Sequence, residues 1–189
     1  MSDRIVVYDT TLRDGMQGEG MSLSVEEKVR VARILDSLGV PMIEAGFPTS
    51  NPKELELFER LREAGLAADV CAFGMTRRRG VEAAEDAALR VLAESWTPVS
   101  TIVGKTWGLH LEKVVKVDRE ENLRMIADSV GLLARQGKRV IYDAEHFFDG
   151  FRADSDYALR CLRAAAEAGA ENVTLCDTNG SSVPARPTS

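Results

Sequence analysis

The sequence predicts an α/β protein built on a parallel β-sheet, and three observations carry that expectation. Short runs rich in Val, Ile, Phe and Tyr alternate with longer stretches of helical period. The short runs are apolar almost throughout, as strands covered on both faces require. One run follows another at intervals of roughly 25–35 residues, the length of a strand, a helix and two turns.

Each element has its own local reason. The first strand is IVVYD (5–9), followed by the polar, glycine-punctuated stretch TTLRDGMQGEG. Ser24 then opens the helix VEEKVRVARILDSLG, with Glu27 at the capping-box position and Gly39 as its stop. The second strand is PMIEAGF (41–47). Its helix, NPKELELFERLREAG, has Pro52 in the first turn and ends at Gly65. The third strand, ADVCAFGM (68–75), leads to a helix over GVEAAEDAALRVLAES (80–95), and the fourth, PVSTIVG (98–104), to DREENLRMIADSVGLLARQG (118–137). The fifth strand is KRVIYDAEHF (138–147), its helix DSDYALRCLRAAAEAG (154–169), and the sixth strand ENVTLCDT (171–178). Apolar positions recur at i, i+3, i+4 and i+7 in every helix. Right-handed crossovers lay such strands side by side.

Five strand–helix units and a sixth strand admit two closures. A doubly wound sheet is complete at 189 residues; an eight-stranded barrel needs typically ~250. The pattern leaves both open. After Gly180 the chain reads SSVPARPTS, polar and proline-punctuated, without helical period. The expected organisation is one folded domain over 1–180 and a disordered tail over 181–189, as in a truncated chain.

Composition narrows the function. A net charge of −6 argues against a nucleic-acid surface, which needs a basic face. No apolar run reaches the ~20 residues of a membrane span, and MSDRIVVYD lacks a signal-peptide core, so a cytoplasmic location is expected. Cys71, Cys161 and Cys176 form no CxxC pair and read as buried, reduced thiols.

In parallel α/β folds, ligands bind at the carboxyl ends of the strands. Collected there are Asp9, Arg13, Asp14 and Gln17 after strand one, Glu44 on strand two, and Lys105 to His110 after strand four. Asp143, Glu145 and His146 end strand five; Asp177, Thr178 and Asn179 end strand six. So many acids at one mouth repel one another, and a bound divalent cation relieves that with oxygen ligands. Arg13 presents a planar fork suited to a carboxylate or a developing enolate oxygen. The expectation is a divalent-metal site acting on a small carboxylate substrate. Against it, Asp9 and Asp177 taken singly read first as caps or turn formers, and His146, beside two phenylalanines, as packing. Glu44 inside an apolar run resists that reading, because a buried unpaired carboxylate is costly. Arg77, Arg78 and Arg79 read as solvated surface, with a phosphate-bearing ligand as the second reading. Trp96 and Trp107 read as packing residues.

DTTLRDGMQ, IEAGFP, YDAEHFFDG and LCDTNG, in this order and spacing, resemble the 2-isopropylmalate, homocitrate and citramalate synthases. YDAEHFFDGF and EENLRMIADSVGLL are most similar to the (R)-citramalate synthase branch. The resemblance runs to about Gly180. It implies a TIM (β/α)8 barrel, here incomplete at about six βα units, and an acyltransferase that condenses acetyl-CoA with a 2-keto acid. For the citramalate branch the keto acid is pyruvate, in isoleucine biosynthesis. It also implies a divalent ion (Mg, Mn or Zn) and, for the full-length family, a homodimer. By motif position Asp14 is a metal ligand, Arg13 and Glu145 are catalytic, and Gln17, Glu44 and Thr178 join Arg13 in binding substrate. The family's other metal ligands are two histidines in an HxH motif. Here the two histidines are His110 and His146, and no HxH occurs. The chain by itself is therefore expected to be inactive, a non-catalytic half-barrel. A synthase for a longer keto acid and a hydroxymethylglutaryl-CoA lyase-type enzyme are the other readings within the same fold.

Overall fold

A computed structural model describes residues 5–180, 182 and 183. Most of the tail expected over 181–189 lies outside the described residues. Among the described residues six strands form one sheet: β1 (Tyr8–Asp9), β2 (Met42–Gly46), β3 (Asp69–Met75), β4 (Val99–Lys105), β5 (Arg139–Glu145) and β6 (Asn172–Leu175). Every pairing is parallel, and the spatial order is β1-β2-β3-β4-β5-β6. That order decides between the two closures. A doubly wound sheet reverses its strand order at a switch point; this sheet never does, so it is a half-barrel.

The helices are α1 (Val25–Ser37), α2 (Pro52–Glu63), α3 (Ala87–Glu94), a single turn α4 (Gly108–His110), α5 (Arg119–Arg135), α6 (Phe147–Ala153) and α7 (Ser155–Glu167). The main hydrophobic core lies between these helices and the outer face of the sheet, with Ile43, Ala72, Ile102, Val140 and Tyr142 meeting Leu57, Leu89, Ile126 and Ala158. The opposite face carries a much smaller cluster of Met42, Cys71, Val99 and Ile141, closed by Tyr8. Strand residues of alternate parity supply the two faces.

The ends of the elements follow their caps. Ser24 and Glu27 form the expected capping box, and Asn51, Asp118 and Asp154 cap α2, α5 and α7. The helix expected over 80–95 is shorter. Asp86 accepts hydrogen bonds from the amides of Ala88 and Leu89, so α3 starts at Ala87 behind a 3-10 turn at Ala83–Glu85. The first strand is also shorter than expected: only Tyr8 and Asp9 pair with β2, and Ile5 is 89% exposed. α6 was absent from the periodic pattern, being only two turns long.

Candidate active site

The strand-one loop folds back on itself. The amides of Arg13, Asp14 and Gly15 all donate to the Thr10 carbonyl, at 3.1, 2.9 and 3.1 Å. Asp9 ties the loop at its start, accepting from the Thr11 amide at 3.0 Å and the Thr11 hydroxyl at 3.2 Å. This is the cap-like role open to a lone aspartate. A 3-10 turn at Gly15–Gln17 follows.

The loop aims Arg13 inward over the sheet. Its Nε donates to Glu44 and its Nη1 to Asp14 Oδ1 at 3.0 Å. The guanidinium lies 4.0 Å above the centre of the Phe73 ring, a cation–π seat. Glu44 is 0% exposed; besides Arg13 it accepts from the Tyr8 hydroxyl. Tyr8 and Thr101 also share a hydrogen bond of 2.5 Å. Burial, and then the Glu44 charge, push the Tyr8 phenol well above its ordinary range, so it stays a donor. The buried carboxylate is thus paired, as its position in an apolar strand demanded.

On β5, Asp143 faces the same side and is 7% exposed. Burial first, and Glu44 second, raise its carboxyl to about 6, while the Thr174 hydroxyl and Arg13 pull the other way. Glu145 sits two residues on, paired with the Lys105 ammonium. Thr106 donates to the Glu145 carbonyl at 2.6 Å, and Asn122 holds the Lys105 carbonyl at 2.9 Å. Burial, with Asp143 and Glu145 behind it, pushes the Cys176 thiol up to about 12, so it is not a thiolate nucleophile.

β5 ends in a strained residue. His146 adopts the left-handed region, φ 53°. Its amide donates to Thr178 Oγ1 at 2.9 Å, joining the β5 and β6 ends. Its ring stands edge-on to His110 at 4.3 Å and 5.7 Å from Trp107. Burial lowers the pKa of His110, helped by His146 and Lys105. The packing roles expected for His146 and Trp107 are what these contacts provide. Asp177 accepts from the Ser182 amide at 2.8 Å, a turn-forming role.

The sequence-predicted residues therefore fall into three groups. Arg13, Asp14 and Glu44 are in direct contact. Glu145 and Thr178 stand at the neighbouring strand ends, each held by its own partner. Gln17 lies exposed on the 3-10 turn, apart from both. Sequence reasoning assigned no role to Tyr8, Phe73 and Thr101, which orient Glu44 and Arg13, or to Lys105 as the partner of Glu145. Their signal was parity, since Tyr8 and Thr101 are polar interruptions of apolar strands on the same face as Glu44. One expectation is corrected. Arg77 is not solvated surface: it is buried, and bonds Glu121 at 2.8 Å and Asp128 at 2.9 Å.

Toward a metal, the donor set is sparse. The Asp14 side chain is 60% exposed, and one of its oxygens faces Arg13. Among the described residues no three His, Cys, Asp or Glu side chains come together to hold an ion. The described residues thus do not by themselves fit a complete metal centre.

The chain is similar to known proteins along nearly its whole length. The (R)-citramalate synthase of Aquifex aeolicus (strain VF5) is 46% identical over 185 residues, 97% of this chain and 35% of that protein. A homocitrate synthase of Methanopyrus kandleri is 39% identical over 98% of this chain and 44% of its own length. The chain spans about a third of the length of the citramalate synthases it matches. Among solved structures, the HMG-CoA lyase of Bacillus subtilis superposes with a TM-score of 0.72 over 96% of this chain and 60% of its own. At 16% identity, that likeness concerns the fold. A family model described as HMGL-like matches residues 4–187. The match leaves out only a few residues at either end, and the chain belongs to the HMGL-like family.

Proposed function

We propose that the protein carrying this chain condenses acetyl-CoA with pyruvate to give (R)-citramalate, a step toward isoleucine. The observation that carries the reading is the fixed guanidinium of Arg13. Its Nε and Nη1 are occupied by Glu44 and Asp14, and among the described residues Nη2 has no hydrogen-bond partner. A preorganised cation with one free N–H edge, at the carboxyl end of a parallel sheet, suits an oxygen that gains charge in the transition state. Support for pyruvate over a longer keto acid comes from the higher identity to citramalate synthases than to homocitrate synthase.

The other residues take roles that their contacts permit. Glu44 and Tyr8 orient Arg13 and are positioning residues. Glu145, held by Lys105, closes the site on the β5 side. Thr178 accepts from the His146 amide, so its hydroxyl proton is free to be donated to a substrate carboxylate. A divalent ion, when bound, would polarise the keto acid; Asp14 is the ligand this chain brings. Since no three ligating side chains converge among the described residues, we also propose that residues 1–189 bind substrate without turning it over. Gln17, exposed in this state, is proposed to meet substrate only on binding.

The test incubates the whole protein that carries this chain with acetyl-CoA, a divalent cation and either pyruvate or a longer 2-keto acid, and follows free CoA thiol and the acid formed; residues 1–189 alone are expected to form none. Citramalate from pyruvate is expected. Turnover with a longer keto acid alone would sink the pyruvate assignment.

A further inference from the structure

Among the described residues only two other than glycine lie in the left-handed backbone region, Lys116 at φ 58° and His146 at φ 53°. Lys116 ends a π-helical turn (Leu111–Val115), and a helix end is the ordinary place for that conformation. His146 ends no helix. It joins the end of β5 to the start of α6, and its side chain makes no capping bond there. A backbone outlier of this kind persists only where its surroundings enforce it, and it points to a function.

What the outlier achieves is visible between β5 and β6. The Cys176 amide donates to the Ala144 carbonyl at 3.3 Å, and the Phe147 amide to the Cys176 carbonyl at 3.2 Å. The His146 amide between them is turned off the backbone ladder and onto Thr178 Oγ1, at 2.9 Å. A threonine hydroxyl has one proton to give and lone pairs that accept. With a lone pair committed to His146, and no acceptor for the proton among the described residues, that proton is left for a ligand.

Three neighbours hold His146 in place. Asp149 Oδ2 stands 3.4 Å from its Nδ1 and also accepts from Asn179 Nδ2 at 2.8 Å, so one carboxylate grips both the ring and the residue after Thr178. His110 and Trp107 flank the ring, at 4.3 and 5.7 Å between centroids. The α6 helix that carries Asp149 is itself fixed. A Cβ on Gly150 would lie 2.5 Å from the Thr106 carbonyl, so the helix rests directly on the chain beyond β4.

We infer that His146 is a positioning residue: its left-handed backbone, enforced by Asp149, His110 and Trp107, sets the Thr178 hydroxyl so that its proton faces the carboxylate of the keto acid. This rests on the reading that Thr178 meets substrate; the strained backbone and the hydrogen bond to Thr178 are independent of it.

The test is steady-state kinetics of the whole protein that carries this chain, with whichever 2-keto acid it turns over, so the pyruvate assignment can fail without touching the inference. His146→Val is β-branched and tolerates positive φ poorly. It should raise the keto-acid KM roughly ten- to hundredfold, the size of one hydrogen bond to a charged group. The rise should fall on KM rather than kcat, since the contact serves ground and transition states alike. His146→Asn, a residue type enriched in this region, should recover most of the loss. In a Thr178→Val background His146→Val should add nothing further. Asp149→Ala, which keeps His146 itself, should act in the same direction by the same route, and it replaces His146→Val if that variant does not fold. Thr178→Val should also speed hydrogen exchange at the His146 amide without substrate present. Unchanged exchange there overturns the inference whatever the kinetics show. If Thr178→Val leaves the keto-acid KM unchanged, the inference falls together with the carboxylate role of Thr178. If Thr178→Val raises it while His146→Val and Asp149→Ala do not, or do so equally in the Thr178→Val background, the inference falls alone.

Discussion

Glu44 joins three functions in one carboxylate: it accepts from Tyr8, holds Arg13, and adds negative charge beside Asp143. Breaking a buried ion pair from one side leaves the other group uncompensated. Glu44→Gln is therefore expected to cost about 2–4 kcal/mol, read as a lower urea midpoint at unchanged slope; a change under 1 kcal/mol would mean Arg13 finds another partner. Asp143 has the opposite energetics. An unfolded aspartate titrates near ~3.9, and this one at about 6. Between those values the folded chain keeps a proton that the unfolded chain loses, so stability falls as pH rises through the window and remains lower above it. The cost is about 2–3 kcal/mol at neutral pH. Asp143→Asn should remove it, so the variant gains most over wild type at pH 7.5 and little at pH 4. Equal gains at both pH values would refute the account. Of this site, Arg13, Asp14 and Glu44 were legible in sequence, because a charged pair after a strand and an acid within one have few structural excuses. Tyr8, Phe73 and Thr101 were not, since an aromatic or threonine in a strand is ordinary until its face is known.

At the scale of elements, caps and glycines set what periodicity cannot. Asp86 looked like one more polar residue of an 80–95 helix; its side chain instead starts α3 and also takes the Arg78 amide at 3.0 Å. Losing a buried cap of this kind leaves backbone donors unsatisfied. Asp86→Ala should destabilise by about 2 kcal/mol and shift the helix start, visible as faster amide exchange at Ala88 and Leu89. Gly46 has a stricter reason. It ends β2 at φ 154°, after a slip in register from Glu44, and a Cβ there would lie 1.9 Å from Glu54 Oε2. Glu54 in turn bonds Lys28 at 2.6 Å, joining α2 to α1. Gly46→Ala must therefore displace the Glu54–Lys28 pair as well as strain the backbone. A loss of more than about 2 kcal/mol is expected in chemical denaturation, and Glu54→Ala should relieve part of it. Additive losses in the double variant would sever the link. Strand and helix existence was readable from residue type and period alone. Their ends were not, because an end is fixed by one side-chain hydrogen bond that leaves no periodic trace.

Across the whole molecule, one fact organises the rest: a single parallel sheet in sequential order, with nearly all helical packing on one face. The sequence carried the number of strands and their places along the chain but left their order in the sheet open, since a doubly wound sheet and a barrel share the same alternation. Stability should grade along this sheet. β3, β4 and β5 are paired on both sides, seven residues each, and covered by α3, α5 and α7. β1 contributes two residues, paired only to β2, and β6 four residues, paired only to β5, with Leu175 45% exposed. An edge strand exposes its remaining N–H and C=O groups to water and opens locally at low cost. Native-state hydrogen exchange is therefore expected to rank the amides of β4 slowest, with β6 and β1 exchanging fastest, well before global unfolding. Arg13 hangs from the β1 end, so its hold on the site comes from Glu44 on β2 more than from β1 itself. In Glu44→Gln, exchange at Arg13, Asp14 and Gly15 should accelerate while β4 amides change only by the global loss in stability. Uniform protection from β1 to β6, or no selective effect of Glu44→Gln on the Thr10-bonded amides, would show that the sheet opens as one unit and that the loop is held by its own turn alone.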